Sequence, residues 1–121
     1  MKAQQRLIRV FDDFLQNELL RNTWIETSVA SVFVRRSTRL YDGHRTSCLD
    51  IANVQVKEKF RGQGIFTKLL EHAEQVNPYD LLLIENVIGG SRFIKFFQHR
   101  KHYILVEEEL SLCPSFFYIG K

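Results

Sequence analysis

The sequence predicts a single α/β domain built on a mixed sheet. Three observations carry that reading. Apolar residues recur at helical spacing near the start and again after Gly64, β-branched and aromatic residues crowd the stretch from Thr27 to Val56, and short apolar runs follow from Leu81 onward. Hydrophobic residues make up 45% of the 121 positions and charged ones 26%, a balance that sets aside disorder and collagen-like sequence. No repeat or Pro/Gly/Ser-rich linker divides residues 1–121, so one domain is expected throughout.

Leu7, Ile8, Phe11, Phe14 and Leu15 fall on one helical face, and Leu19 and Leu20 continue the stripe, which predicts a helix over Gln4–Arg21. Val29, Ala30, Val32, Phe33 and Val34 then open a strand that runs to Tyr41. Asp42-Gly43 is a hairpin turn signal, and a return strand follows over Thr46–Val56. The apolar alternation of that strand changes phase between Ala52 and Asn53, which a one-residue bulge produces. Ile65, Phe66, Leu69, Leu70, Ala73 and Val76 mark an amphipathic helix that ends before Pro78. Leu81–Ile84 reads as a strand buried on both faces. Gly89-Gly90 opens a loop, and Phe93, Ile94, Phe96 and Phe97 suggest a short helix. Two strands, Tyr103–Leu110 and Phe116–Ile119, close the chain through Cys113-Pro114-Ser115.

The apolar runs are far shorter than the ~20 residues that cross a bilayer, and Met1-Lys2-Ala3-Gln4-Gln5-Arg6 leads into charged sequence, so a cytoplasmic protein is expected. The net charge of +3 suits an anionic ligand. Cys48 and Cys113 share no ligand spacing with each other or with the histidines, and no metal site is expected. Arg35, Arg36, Arg39, His44 and Arg45 read as a solvated strand face, with an acidic acceptor or RNA open as a partner. Arg92, Lys95, His99, Arg100, Lys101 and His102 form a second basic group, and Glu107-Glu108-Glu109 a charged strand edge.

The segment with chemical content is Val54-Gln55-Val56 followed by Arg61-Gly62-Gln63-Gly64-Ile65 and a helix. Glycines between a strand and a helix allow a tight turn and close approach of a ligand. The first-turn N–H groups of the helix then face outward with partial positive charge, a site for phosphate or pyrophosphate. Lys59, Arg61 and Lys68 add full charges. GxxxxGK[ST] is absent, and Thr67 stands where a dinucleotide fingerprint needs its third glycine.

Arg61-Gly62-Gln63-Gly64-Ile65-Phe66 resembles the acyl-CoA motif [QR]-x-x-G-x-[GA] of the GNAT superfamily of N-acyltransferases, apart from Phe66 at its end. Phe60 in an aromatic position, the helix opening Thr67-Lys68-Leu69-Leu70 and the order of elements from Val29 to Ile119 extend the likeness. The resemblance implies a GNAT-like mixed central sheet with splayed parallel strands, Leu49–Val56 and Leu81–Asn86, flanked by helices. It implies acetyl-CoA as cosubstrate, held by Val54, Val56, Arg61, Gly62, Gln63, Gly64, Ile65, Phe66 and Thr67. It also implies direct attack of an amine acceptor on the thioester, whose oxygen a backbone N–H near Val54 or Val56 polarises. Asp50 takes the place of the base, and Tyr103 or His102 that of the acid, because Phe97 stands where the family's second motif has Tyr and Gly90 and Phe93 replace its Asn and Ala.

Two functions are therefore expected in competition. One is an N-acetyltransferase acting on an unidentified small molecule or protein amine. The other is a catalytically degenerate GNAT-like domain that serves as a CoA-binding or protein-interaction module. Nucleic-acid binding rests on the basic stretches alone, and the two closing strands leave room for a homodimer.

Overall fold

The computed structural model describes residues 2–85, 96–97, 99–100, 102–106 and 115–118. Helix α1 (Lys2–Gln16) forms where Leu7, Phe11 and Phe14 share a buried face. It stops short of Arg21. Leu19 is 95% exposed, so the apolar stripe beyond Leu15 reflects no packing. The chain then forms an edge strand that the sequence does not announce, β1 (Asn22–Glu26), in which Ile25 is the buried side chain.

Strands β2 (Ala30–Tyr41) and β3 (His44–Val56) make the long hairpin. Asp42 (φ 50°) and Gly43 (φ 78°) give its turn the two left-handed residues of type I′, as Asp-Gly predicts. Val34 lies opposite Ile51 and Phe33 opposite Asn53, so Ala52 is the extra residue of a β-bulge, at the place where the apolar phase changes. A 3-10 turn (Glu58–Phe60) leads to helix α2 (Ile65–Val76). Asn77 ends it and shapes the next turn, donating from Nδ2 to Leu81 O (2.9 Å) and accepting Tyr79 N–H at Oδ1 (3.0 Å). Strands β4 (Leu81–Ile84), β5 (Tyr103–Val106) and β6 (Ser115–Tyr118) complete a sheet of order β1-β2-β3-β4-β6-β5.

The expected architecture needs correction. Pairing is antiparallel at β1–β2, β2–β3, β4–β6 and β5–β6, and only β3–β4 is parallel. Those two strands pair residue by residue from Cys48–Leu81 to Ile51–Ile84, so the described residues show a mostly antiparallel six-stranded sheet and not a pair of splayed parallel strands between helical layers. Both helices also join one apolar cluster with the sheet. Leu7, Phe11 and Phe14 of α1 and Leu69, Leu70 and Ala73 of α2 pack with Val32, Val34, Leu49, Ile51, Leu82 and Ile84. His72 and Asp12 (2.6 Å) tie the helices together. A smaller cluster of Cys48, Leu81 and Leu83 with Tyr41, Val106 and Phe117 marks the other face, because strand neighbours alternate. Asn86, Gly89-Gly90, Arg92, Phe93, Ile94, Lys95, Lys101, Glu107-Glu108-Glu109, Leu110, Cys113-Pro114 and Ile119, which carried the remaining expectations, lie outside the described residues.

Candidate functional site

Beyond Ile51, β3 runs on to Val56 without pairing to β4. The direction of its peptide groups follows from the ladder. Lys57 N–H donates to Val29 O (2.9 Å), and from that bond the antiparallel alternation turns the N–H and C=O of Val54 and Val56 away from β2. Both valines named from the sequence therefore present their peptide groups on the side of the strand that no described strand covers. Arg61 confirms the direction for Val56, whose carbonyl accepts the guanidinium Nε–H at 3.0 Å.

The loop after β3 turns on two left-handed glycines. Gly62 (φ 79°) and Gly64 (φ 77°) adopt a conformation that side chains disfavour, and nothing lies within 4 Å of the position a Cβ would take at either. Gly64 is the N-cap of α2 and supplies no side-chain hydrogen bond, so the opening turn presents backbone N–H groups alone. Gly62, Gln63 and Gly64 are exposed, whereas Ile65 is buried in the core and fixes the helix start. Phe66 turns inward onto Phe96 and Phe97 (ring centroids 5.7 and 6.1 Å) and leaves the loop surface to backbone. Lys59, Arg61 and Lys68 are exposed around it, and Lys68 also lines a groove of about 410 Å³ with Gln4, Gln5, Ile8 and His72. The arrangement suits an anion approaching main-chain N–H groups.

Asp50 sits upstream on β3, fully buried. Its Oδ2 accepts Arg35 Nε–H (2.7 Å) and Arg39 N–H (2.6 Å), and the same two guanidiniums reach Glu85 Oε1 at 2.7 and 2.6 Å. Burial, and then the neighbouring Glu85 carboxyl, push the Asp50 pKa up to about 7 against the pull of both arginines. Burial acts in the same upward sense on Glu85, but its pairing with the Asp50 carboxyl, the hydrogen bond from Arg35 and the charge of Arg39 outweigh it and hold Glu85 below the usual carboxylate range. Arg35 is raised by its hydrogen bond to Asp50 and then by that to Glu85. Cys48, its thiol pushed up to about 12 by burial and by Asp50, stays neutral beside them.

Tyr103 sits elsewhere. It packs between Phe97 and Tyr118, donates its hydroxyl to Glu74 on α2 (3.1 Å), and is raised above the normal phenol range by burial and by the Glu74 charge. Arg100 joins the same group, near Glu74 (3.5 Å) and Glu71 (3.8 Å). The structure thus brings Val54, Val56 and Arg61–Thr67 together along one track, sets Asp50 upstream of it, and ties Tyr103 to the last turns of α2. Sequence reasoning missed Glu85 and the arginines as partners of Asp50. The signal for Arg35 was present, since a two-residue turn at Asp42-Gly43 puts Tyr41 opposite His44 and, by counting back, Arg35 opposite Asp50.

No family model matches the chain, and no curated protein does. Among solved structures it resembles a chain of the crystal structure of the KacTA–DNA complex, with 16% identity and a TM-score of 0.51, over 91% of this chain and 79% of that one. This likeness carries the fold alone. The GNAT membership expected from Arg61–Phe66 is accordingly corrected: no family model supports it, and the likeness found is one of architecture, to that chain of the KacTA–DNA complex. No helix among the described residues is long and apolar enough to cross a membrane.

Proposed function

We propose that the chain binds acetyl-CoA along the open edge of β3 and the Arg61–Thr67 loop, and transfers the acetyl group to an amine acceptor. One observation carries the reading, the continuous backbone track that runs from the outward peptide groups of Val54 and Val56 to the uncapped opening turn of α2. A ligand with an amide-bearing arm and a pyrophosphate at its end matches both halves. The arm adds to the strand edge through main-chain hydrogen bonds, and the pyrophosphate meets the helix N-terminus. Arg61, held against Val56 O, and the exposed Lys59 and Lys68 supply countercharge. The thioester then lies near Val54, whose N–H is available to polarise its carbonyl oxygen. The amine nitrogen bonds to the carbonyl carbon, the C–S bond breaks and the thiol leaves, so no covalent intermediate on Cys48 is required.

A second reading, contact with nucleic acid, is favoured by the likeness to a chain of the KacTA–DNA complex and by the net charge of +3. Calorimetric titration with acetyl-CoA separates the two, with Gly64→Asp as control. The Cβ position at Gly64 is open, so Asp meets no clash there. Its left-handed backbone costs about 1–2 kcal/mol, less for Asp than for most residues, and a thermal melt of the variant checks that it is folded while its carboxylate faces the phosphates. Micromolar binding abolished in Gly64→Asp supports the proposal. Thiol release on adding amines then distinguishes a transferase from a module that only binds CoA. Absent acetyl-CoA binding, together with DNA binding that weakens steeply with salt, favours the second reading.

A further inference from the structure

We propose that Glu85 receives the proton lost by the amine acceptor and that Asp50 holds it, the two carboxyls serving as one base; the inference rests on the acetyl-transfer reading above. Asp50 alone cannot meet an acceptor, since none of its surface is exposed. Glu85 can, because its side chain keeps 17% of its surface. Its backbone places it, as Glu85 N–H donates to Ile51 O (3.0 Å), immediately before the bulge at Ala52 and the open edge of β3. Arg39 donates from one nitrogen to both carboxyls at 2.6 Å, and Arg35 bridges them at 2.7 Å, so the two acids are held side by side.

A second observation marks the pair as more than an ion-pair network. Asp50 Oδ1 is buried and accepts no hydrogen bond among the described residues, a costly state for an ionised carboxylate and a more tolerable one for a neutral acid. The other groups facing the pair among the described residues leave the proton no better place. Cys48 is held neutral, and Ser37 accepts Arg39 Nε–H (3.3 Å). In the resting base form both acids are ionised between the two guanidiniums. The ammonium of the acceptor gives one proton to Glu85, which passes it to Asp50. The free amine attacks the thioester, and its second proton leaves with the departing thiolate as CoA thiol. The stored proton returns to solvent through Glu85.

The test uses the whole chain with acetyl-CoA and a panel of primary amines (spermidine, tyramine and a lysine peptide), following thiol release against pH. The expected kcat/KM falls tenfold per unit below a midpoint near 7. Glu85→Gln lowers kcat by about 100-fold or more while the acetyl-CoA Kd stays within about twofold, Glu85→Asp restores part of the rate, and Asp50→Asn abolishes the pH limb. Carbon-13 NMR of the Asp50 carboxyl, which needs no turnover, is expected to titrate near 7 and to shift in Glu85→Gln. Transfer whose rate and pH limb ignore both substitutions overturns the proton role alone, as does an Asp50 carboxyl that titrates in the ordinary range. A wild-type chain that binds acetyl-CoA and releases no thiol overturns the transfer reading together with this role.

Discussion

At the scale of single residues, position on a strand decides what a charge does. Arg35, Arg36 and Arg39 look alike as a basic run, yet the strand's period of two sends Arg35 and Arg39 to Asp50 and Glu85, and Arg36 to the opposite face. Asp50 was legible as an acid among apolar neighbours, and Arg35 by counting from the turn. Glu85 was not, because only the parallel pairing of β3 with β4 brings it beside Ile51. The pair also sets a pH dependence of stability with a definite sign. The folded pKa of Asp50, about 7, lies above its unfolded value, so between about 4 and 7 the folded state holds more protons and stability declines as pH rises. Glu85, shifted the other way, contributes stability above its unfolded pKa that is lost as pH falls through the folded one. Thermal melts are therefore expected to show a Tm that drops from pH 5 to pH 7.5, and Asp50→Asn should flatten that part of the curve. A wild-type Tm that climbs across this window would contradict the assignment.

At the scale of elements, the error in reading α1 has a physical cause. Leu19 and Leu20 match the apolar stripe, but no sequence pattern reveals that a strand side chain will take the carbonyls that end the helix. Arg36 on β2 does so. It donates to Phe14 O (2.7 Å), Leu15 O (3.1 Å) and Leu20 O, donates from Nε to the Tyr79 hydroxyl (2.7 Å), and stacks over the Phe14 ring at 4.3 Å. The last turn of α1 carries no basic residue of its own, so this guanidinium also supplies the positive charge that a helix C-terminus favours. Arg36→Ala is expected to cost about 2–3 kcal/mol, read as a lower denaturant midpoint with an unchanged slope. Arg36→Lys should recover only part of it, since an ammonium lacks the planar fork that reaches several carbonyls. β1 was illegible for a related reason: one buried side chain in an edge strand gives no alternation to read.

Across the whole molecule, the local elements were more legible than their arrangement. The hairpin turn, the bulge at Ala52, α2 and the buried run Leu81–Ile84 follow from nearby residues. The strand order and the antiparallel bias depend on pairings between distant segments, which periodicity does not encode. Phe97 shows the difference most directly. Read along the chain, it is a phenyl ring where a proton donor was sought, yet the fold makes it a keystone of the core at 1% exposure. It stacks on Phe116 of β6 (4.5 Å), meets Tyr103 of β5 (5.0 Å) and touches Phe66 in the first turn of α2 (6.1 Å). One side chain thereby couples the closing strands to the helix that follows the Arg61–Gly64 loop. Phe97→Ala is expected to cost about 3–5 kcal/mol through the cavity it leaves. Phe97→Tyr is the sharper experiment. If the ring at this position faced the reaction, a restored hydroxyl would raise the rate of thiol release. In the observed packing the hydroxyl enters an aromatic cluster, so the variant should lose about 1–3 kcal/mol in denaturation with no gain in rate.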